Sequence, residues 1–460
     1  MYFEQIVRHD IGCAAYIVGS TDAGEAAVID PRIDMVDELL AIATHEGLRI
    51  RYIIETHNHA DHISGHARLA ELTGAEIAVH RDANAEYPHL RLVDGQEMTL
   101  GEVRLRVLHT PGHRPEHIAI AAIDSTRGDD PWLVLTGDSL SIGDVARPDL
   151  AVDGKDGATA LFQSLHEKLM TLPAGTMVYP GHVAGSLCGR VNNRMTGTTI
   201  GFERMFNPAL TISDEAEFVR YMNESLPERP PNMARIVKLN MSDEMPATAE
   251  AKPLTPEQLF AEQSSGTQLL DVREPAAFGA GHLPGAINVH IEGGQFQNRV
   301  GLVFPPGARL LLITGSEAEA TRAVEALSVI GFTAIAGFVI GSASGAKTTG
   351  ISVQQLDQKL ASDPALRVID VRETNEWAEG HIAGAAGVPF HKLRDAAKSL
   401  SSSEPYALIC AGGTRSMIAA SILQALGFEM VYNVEGGMGA WNAAHLPVAT
   451  GPEPAEAATA

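Results

Sequence analysis

The sequence predicts an α/β protein in three parts: a first half of sheets covered by helices, then two smaller α/β units with parallel sheets. Two observations carry that prediction. In the first half, short apolar runs of strand character alternate with helical patterns. In the second half the chain repeats itself. Leu269-Leu270-Asp271-Val272-Arg273-Glu274 returns as Val368-Ile369-Asp370-Val371-Arg372-Glu373, and Gly281-His282-Leu283-Pro284-Gly285-Ala286 returns as Gly380-His381-Ile382-Ala383-Gly384-Ala385, each 99 residues later. Chance similarity would not hold one spacing twice.

Size agrees, since 460 residues at roughly 150 per domain suggest about three domains. Hydrophobic residues make up 45% and charged residues 20% of the chain, ordinary values for a globular protein. The formal charge of −23 argues against nonspecific nucleic-acid binding, which needs a basic face to neutralise phosphates. No apolar run approaches the ~18 residues of a membrane span. Met1-Tyr2-Phe3-Glu4-Gln5 has neither a basic nor an apolar leader region, so a cytoplasmic protein with no membrane partner is expected. Cys13, Cys188 and Cys410 are too few and too scattered for a disulfide framework.

Along the chain, strands are expected at Ala14 to Val18, Ala26 to Asp30 and Arg51 to Ile54. Further strands are expected at Arg104 to Leu108, Ile118 to Ala122, Trp132 to Leu135 and Met177 to Tyr179, with helices at Met35 to Ala43 and Ala158 to Leu172. Met241 to Pro256, rich in Ala, Pro, Glu, Ser and Thr, reads as a linker. The expected domains are 1–245, 254–345 and 350–450. Gly341 to Gly350 separates the last two, and the tail Gly451 to Ala460 is expected to be disordered.

Chemistry concentrates where strands end. Thr56-His57-Asn58-His59-Ala60-Asp61-His62 places three imidazoles and a carboxylate within six residues of one another after an apolar run. His113 in Thr-Pro-Gly-His, Asp138 in Thr-Gly-Asp and His182 in Pro-Gly-His follow in similar contexts. Imidazole and carboxylate without thiolates suit zinc or iron better than a soft metal. These segments resemble the metallo-β-lactamase superfamily, and most of all its glyoxalase II and persulfide dioxygenase branch, which shares THxHADH, TPGH, TGD and PGH. The resemblance implies an αββα sandwich. For a two-metal hydrolase it implies His57, His59 and His113 on one metal, Asp61, His62 and His182 on the other, and Asp138 bridging. For a persulfide dioxygenase it implies one Fe(II) on His57, His113 and Asp138, with His59, Asp61, His62 and His182 around them.

In the second copy of the repeat an apolar strand, Tyr406 to Ile409, runs into Cys410-Ala411-Gly412-Gly413-Thr414-Arg415-Ser416, and a helical run from Met417 to Leu426 follows. Backbone N–H groups and the positive end of a helix then converge on one sulfur, with Arg415 adding charge. A nucleophilic thiolate is expected there. CxxGxR[ST] with the Asp-Val-Arg and Gly-His segments resembles the rhodanese sulfurtransferases. In that family the matching cysteine carries sulfane sulfur as a persulfide, and the loop Ala411, Gly412, Gly413 and Thr414 would bind the group in transfer. Aligned from Gly331-Phe332 against Gly427-Phe428, the first copy has Thr314 for Cys410 and Glu319 for Arg415, so it is expected to be catalytically dead, with a packing or docking role.

Three residues could line a substrate pocket. Cys188 lies six residues past His182 with Arg190 beside it, and Arg114 follows His113, where it either lies on the surface or meets an anionic thiol carrier. Cys13 is expected in the core. Three functions compete, of which a sulfur-carrier or docking protein with a vestigial metal fold is disfavoured by the intact ligand set; two remain. One is oxidation of a thiol persulfide by O2 to sulfite, coupled through Cys410 to thiosulfate formation. The other is a glyoxalase II-like thioester hydrolase holding two zinc ions. A sulfurtransferase fused to the chain favours the first, because sulfite is a sulfur acceptor. The carrier, glutathione, coenzyme A or another thiol, and any homo-oligomeric state are not legible in the sequence.

Overall fold

A computed structural model describes residues 1–183, 195–224, 226, 228–245, 247, 249–341 and 345–451. Cys188, Arg190 and all but Gly451 of the expected disordered tail lie outside the described residues. The chain divides into two compact units, Met1–Ala247 with Val329–Gly331, and Thr248–Ser328 with Phe332–Ala460. No helix among the described residues is long and apolar enough to cross a membrane.

The first unit has two six-stranded sheets. Strands β1 (Tyr2–Arg8), β2 (Cys13–Ser20), β3 (Glu25–Ile29), β4 (Arg49–Ile54), β5 (Glu76–His80) and β6 (Leu90–Leu92) lie side by side in chain order, antiparallel as far as β3 and parallel from there on. The second sheet uses β7 (Glu97–Leu100), β8 (Val103–His109), β9 (Ile118–Asp124) and β10 (Leu133–Gly137). After the small hairpin β11 (Leu140–Ser141) and β12 (Asp144–Val145), it is completed by β13 (Met177–Pro180) and β14 (Thr198–Thr199), in the order β14-β13-β10-β9-β8-β7.

One core lies between the sheets, where Tyr16, Val18, Ile29 and Ile54 of the first meet Leu105, Val107, Ile120 and Leu135 of the second. Another lies outside the second sheet, where Val134 and Val178 meet Leu161, Leu165 and Phe218 of two helices, Gly154–Glu167 and Glu215–Asn223. Helices Val36–His45 and His66–Thr73 pack on the first sheet. This is the αββα sandwich. The helix expected over Ala158 to Leu172 starts earlier, because Asp153 caps it by accepting from Lys155 N–H, and it ends at Glu167 before a short 3-10 turn.

The second unit holds the repeats. In the first copy β15 (Gln268–Asp271), β16 (Ile287–Asn288), β17 (Leu310–Thr314) and β18 (Ile335–Ile340) form an all-parallel sheet ordered β16-β15-β17-β18. In the second, β19 (Thr349–Ile351), β20 (Arg367–Asp370), β21 (Ala386–Gly387), β22 (Tyr406–Ile409) and β23 (Val431–Val434) are also parallel, ordered β19-β23-β22-β20-β21. The repeated motifs do the same structural work in both. Asp271 accepts from Arg273 Nε at 2.9 Å and Nη2 at 2.6 Å, as Asp370 does from Arg372 at 2.9 and 2.6 Å. Each arginine then donates to the glycine carbonyl of the Gly-His segment, and each histidine stacks on an aromatic ring, His282 on Phe278 and His381 on Trp377. These residues hold a loop to a strand, so a copy without its nucleophile still has use for them.

Two segments read as linkers are partly structured. Lys252 and Leu254 pair with Phe338 of β18, and Thr255 opens the helix Pro256–Ser264 with a reciprocal cap to Gln258. Pro256 is there a helix-starting residue, since proline at the first helical position lacks only an N–H that would be unpaired. Part of Gly341 to Gly350 supplies β19.

Candidate metal centre and cysteine loop

Ligands meet where strands run out. β3, β4 and β5 are parallel and end at one edge of the first sheet, placing Asp30 and residues 55–62 there. β10 and β13 are parallel in the second sheet and end at Asp138 and His182. Sheet edges of this kind leave polar loops over a rigid base. Backbone bonds join the two edges, Ala14 N–H to Gly181 O at 2.8 Å and Ile118 N–H to Thr56 O at 2.8 Å, and Gly181 N–H to Gly137 O at 2.7 Å ties the ends of β13 and β10 together.

His57, His113 and Asp138 form one buried group of potential ligand atoms. His57 Nε2 stands 3.7 Å and His113 Nε2 3.3 Å from the same oxygen, Asp138 Oδ2. Their other nitrogens are committed elsewhere, His57 Nδ1 to Thr56 Oγ1 at 3.0 Å and His113 Nδ1 to Arg147 O at 3.1 Å. Asp138 Oδ2 is buried with no hydrogen-bond partner among the described residues. A buried acceptor left bare costs free energy, and a cation between it and the two imidazoles removes that cost. Burial, reinforced by His59 and His113, holds His57 well below the usual imidazole range, and burial also lowers His113. Both rings are therefore neutral and keep a lone pair for a metal.

The remaining motif residues form two separate groups. His182 links Asp138 Oδ1 (2.6 Å to Nδ1) and Asp61 Oδ2 (2.7 Å to Nε2), and His62 Nδ1 lies 3.2 Å from Asp61 Oδ1. His59 turns away, its Nε2 3.2 Å from both Asp30 Oδ1 and Glu55 Oε2, although neither contact has hydrogen-bond geometry. Burial opposes charge on His62, yet Asp61 and Cys13 lift it to about 9.

The cysteine loop follows the same strand-to-loop logic. β22 is fully buried and delivers Cys410, whose sulfur receives Gly413 N–H at 3.1 Å and lies 3.4 Å from Ser416 Oγ. Gly413 takes φ +98°, and the helix Thr414–Ala425 starts directly after it, three residues before the expected start. Arg415 is not a free charge beside the sulfur: Glu376 binds its two Nη groups at 2.5 and 2.7 Å. In the first copy Thr314 is buried and bonds to Ser316 O, and the Glu319 carboxylate accepts the Gly315 N–H. That loop carries its own anion.

Residues 10–182 match the metallo-beta-lactamase superfamily, and residues 255–347 and 352–444 each match the rhodanese-like domain. The mitochondrial persulfide dioxygenase ETHE1 of Bos taurus is 31% identical over 227 residues, which cover 49% of this chain and 82% of that protein. That of Homo sapiens is 32% identical over 228 residues, with the same coverage. The chain belongs to the metallo-β-lactamase superfamily and carries two rhodanese-like domains. A crystal structure of a metallo-beta-lactamase from Staphylococcus aureus subsp. aureus COL is 29% identical with a TM-score of 0.66, and the match covers 74% of this chain and 99% of that one.

Within this metallo-β-lactamase domain several residues play parts that the motifs did not announce. Cys13, expected in the core, is buried but directs its sulfur to within 3.6 Å of Asp61 Oδ2, His62 Nδ1 and His182 Nε2. His117 Nε2 accepts the Asp138 N–H at 3.0 Å, its Nδ1 meets Thr110 Oγ1 at 2.8 Å, and burial holds it down to about 3. Arg114 is not on the surface: it is buried and binds Glu116 at 2.6 Å, while the same Glu116 oxygen accepts Asn58 N–H.

Proposed function

We propose that the metallo-β-lactamase domain oxidises a low-molecular-weight thiol persulfide with O2 to sulfite at one Fe(II) per chain held by His57, His113 and Asp138. In the same reading Cys410 transfers sulfane sulfur, giving thiosulfate. The observation that carries it is the convergence of two Nε2 atoms on the bare Asp138 Oδ2 while both Nδ1 atoms are tied to the protein. Two imidazoles and a carboxylate suit a non-haem iron that keeps open positions. When bound, such an iron supplies one-electron chemistry with O2 beside the persulfide sulfur. The protein's own share is orientation. Thr56 Oγ1 and the Arg147 carbonyl fix the rings, and His182 holds Asp138 Oδ1 so that Oδ2 stays turned to the histidines. The relatives support the substrate, and the rhodanese-like domains supply a use for sulfite. The reading keeps the boundaries 1–245, 254–345 and 350–450 and a cytoplasmic setting, with glutathione or coenzyme A among the thiols able to carry the persulfide.

A second reading, a thioester hydrolase with two zinc ions, draws on the neighbouring group Cys13, Asp61, His62 and His182. One experiment separates the two. Anaerobically purified and reduced protein is expected to hold about one iron per chain, as one facial ligand set implies, and to take up O2 only when a persulfide is supplied. Two zinc ions per chain with thioester hydrolysis and no O2 uptake would overturn the dioxygenase reading.

A further inference from the structure

The first rhodanese-like repeat has no nucleophile, yet it is built against the active loop of the second. Asn288 N–H at the end of β16 donates to Ser421 Oγ at 3.1 Å, on the helix that starts in the cysteine loop. Gly293 comes so close to that loop that a Cβ on it would stand 3.0 Å from Thr414 Cγ2. A cleft of about 610 Å3 lies between the repeats, lined by Glu274 and His290 of the first and by Gly412, Gly413, Thr414 and Asn433 of the second.

Arg299 lies on the helix Phe296–Val303, outside the lining of the cleft and behind Gly293. Its Nη1 donates to Gly293 O at 2.9 Å, on the residue where an added Cβ would crowd Thr414, and no carboxylate pairs with it among the described residues. It is near enough to the cysteine loop for Arg415 and Cys410 to act on its ionisation: burial and Arg415 lower it, and Cys410 opposes them. The contrast with Arg415 is chemical. Arg415 has both Nη groups on Glu376, whereas a guanidinium has five N–H donors and that of Arg299 makes one hydrogen bond among the described residues.

We propose that Arg299, supplied by the repeat that lost its own cysteine, is the residue that binds the sulfonate end of thiosulfate at the Cys410 site. This rests on the sulfurtransferase part of the reading above. The Cys410 thiolate attacks the outer sulfur of thiosulfate, a new S–S bond forms, the old one breaks, and sulfite leaves with the electron pair. In reverse, sulfite attacks the outer sulfur of the Cys410 persulfide. In both directions a dianion with three equivalent oxygens must be held beside an anionic sulfur, and a cation without its own carboxylate lowers that repulsion.

The test uses the full chain with thiosulfate. In Arg299→Ala the KM for thiosulfate is expected to rise about tenfold or more, the size of a lost charge-assisted contact, with kcat changed far less. Arg299→Lys should recover most of the loss, and Arg322→Ala, exposed and paired with Glu292, should match the parent. Calorimetric binding of thiosulfate to Cys410→Ser, with and without Arg299→Ala, reads the same contact without turnover. Unchanged KM and Kd in the Arg299 variant, while the parent protein binds and consumes thiosulfate, would remove Arg299 from the site and leave the sulfurtransferase reading intact. A parent protein that neither binds nor consumes thiosulfate overturns both. An Arg299→Ala loss confined to kcat, or one that lysine does not recover, would mark a packing role only and overturn the proposal.

Discussion

Asp138 divides its two oxygens between different tasks, one toward His182 and one toward the pair of imidazoles. On the proposed function, Asp138→Ala should therefore bind no iron, measured by elemental analysis, and form no sulfite, while thiosulfate sulfurtransfer by the last domain persists. The residue before it is as constrained. Gly137 sits at φ +48°, where a Cβ would lie 2.6 Å from His117 Nε2 and 2.7 Å from Thr56 Oγ1. Gly137→Ala adds about 1–3 kcal/mol of backbone strain to that overlap, and it displaces the two groups that fix Asp138 and His57. A lower melting temperature together with reduced metal content is expected; an alanine variant with full metal occupancy would show that the turn can relax. His117 adds a dependence on pH. Its native pKa is held down to about 3 by burial, against about 6.5 unfolded, so the unfolded chain binds the extra proton and the stabilising contribution is complete above pH 6.5. It is lost progressively as pH falls from 6.5 toward 3. The urea midpoint of metal-free protein should fall between pH 7 and pH 5, and the fall should be smaller in His117→Gln.

At the scale of elements, the parallel repeats were the most legible part, and the sheet register shows why. Asp271 pairs with Ile313 and Asp370 with Ile409, so the residues that follow, Thr314 and Cys410, occupy equivalent places although the repeat offset has changed between them. Sequence alone carried this because fully buried parallel strands are short uninterrupted apolar runs, easily recognised in pairs. The same property hid Cys13. β2 is buried on both faces along its whole length, so no alternation of polar and apolar residues told which way the cysteine faced, and an apolar neighbourhood suggested core. β1 was missed because Tyr2–Arg8 is mostly half-buried and mixes charged with apolar residues. The start of the helix at Thr414 was missed because the Gly-Gly pair reads as loop, whereas Gly413 takes the left-handed conformation that turns the chain into the helix. The metal motif was legible as a set. Its partition was readable only through the family resemblance, since spacing alone does not reveal that His59 turns toward Asp30 and Glu55.

For the molecule as a whole, the proposed division of labour separates an oxidising half from a transferring half. Cys410→Ser is expected to abolish sulfurtransfer and make sulfite accumulate in place of thiosulfate, with persulfide-dependent O2 uptake largely kept. Thr314→Ala, in the self-capped loop of the first repeat, should change neither rate. Thiosulfate formed at the parent rate in the Cys410 variant would move sulfurtransfer to another residue, with Cys188 the next to substitute. The 1% exposure of Cys410 sets what each form of the site shows to its surroundings. In the proposed persulfide form a sulfur bonded to Sγ would extend the side chain by about 2 Å, beyond the position of the recessed thiol. On the proposed reading, peroxide and other agents that drive cysteine irreversibly to sulfinic and sulfonic acids would meet the expendable outer atom first, and overoxidation of that atom would be undone by cleaving one S–S bond. If Cys410 carries the sulfur as proposed, recessing the thiol would make the transferred atom a shield for the residue that carries it.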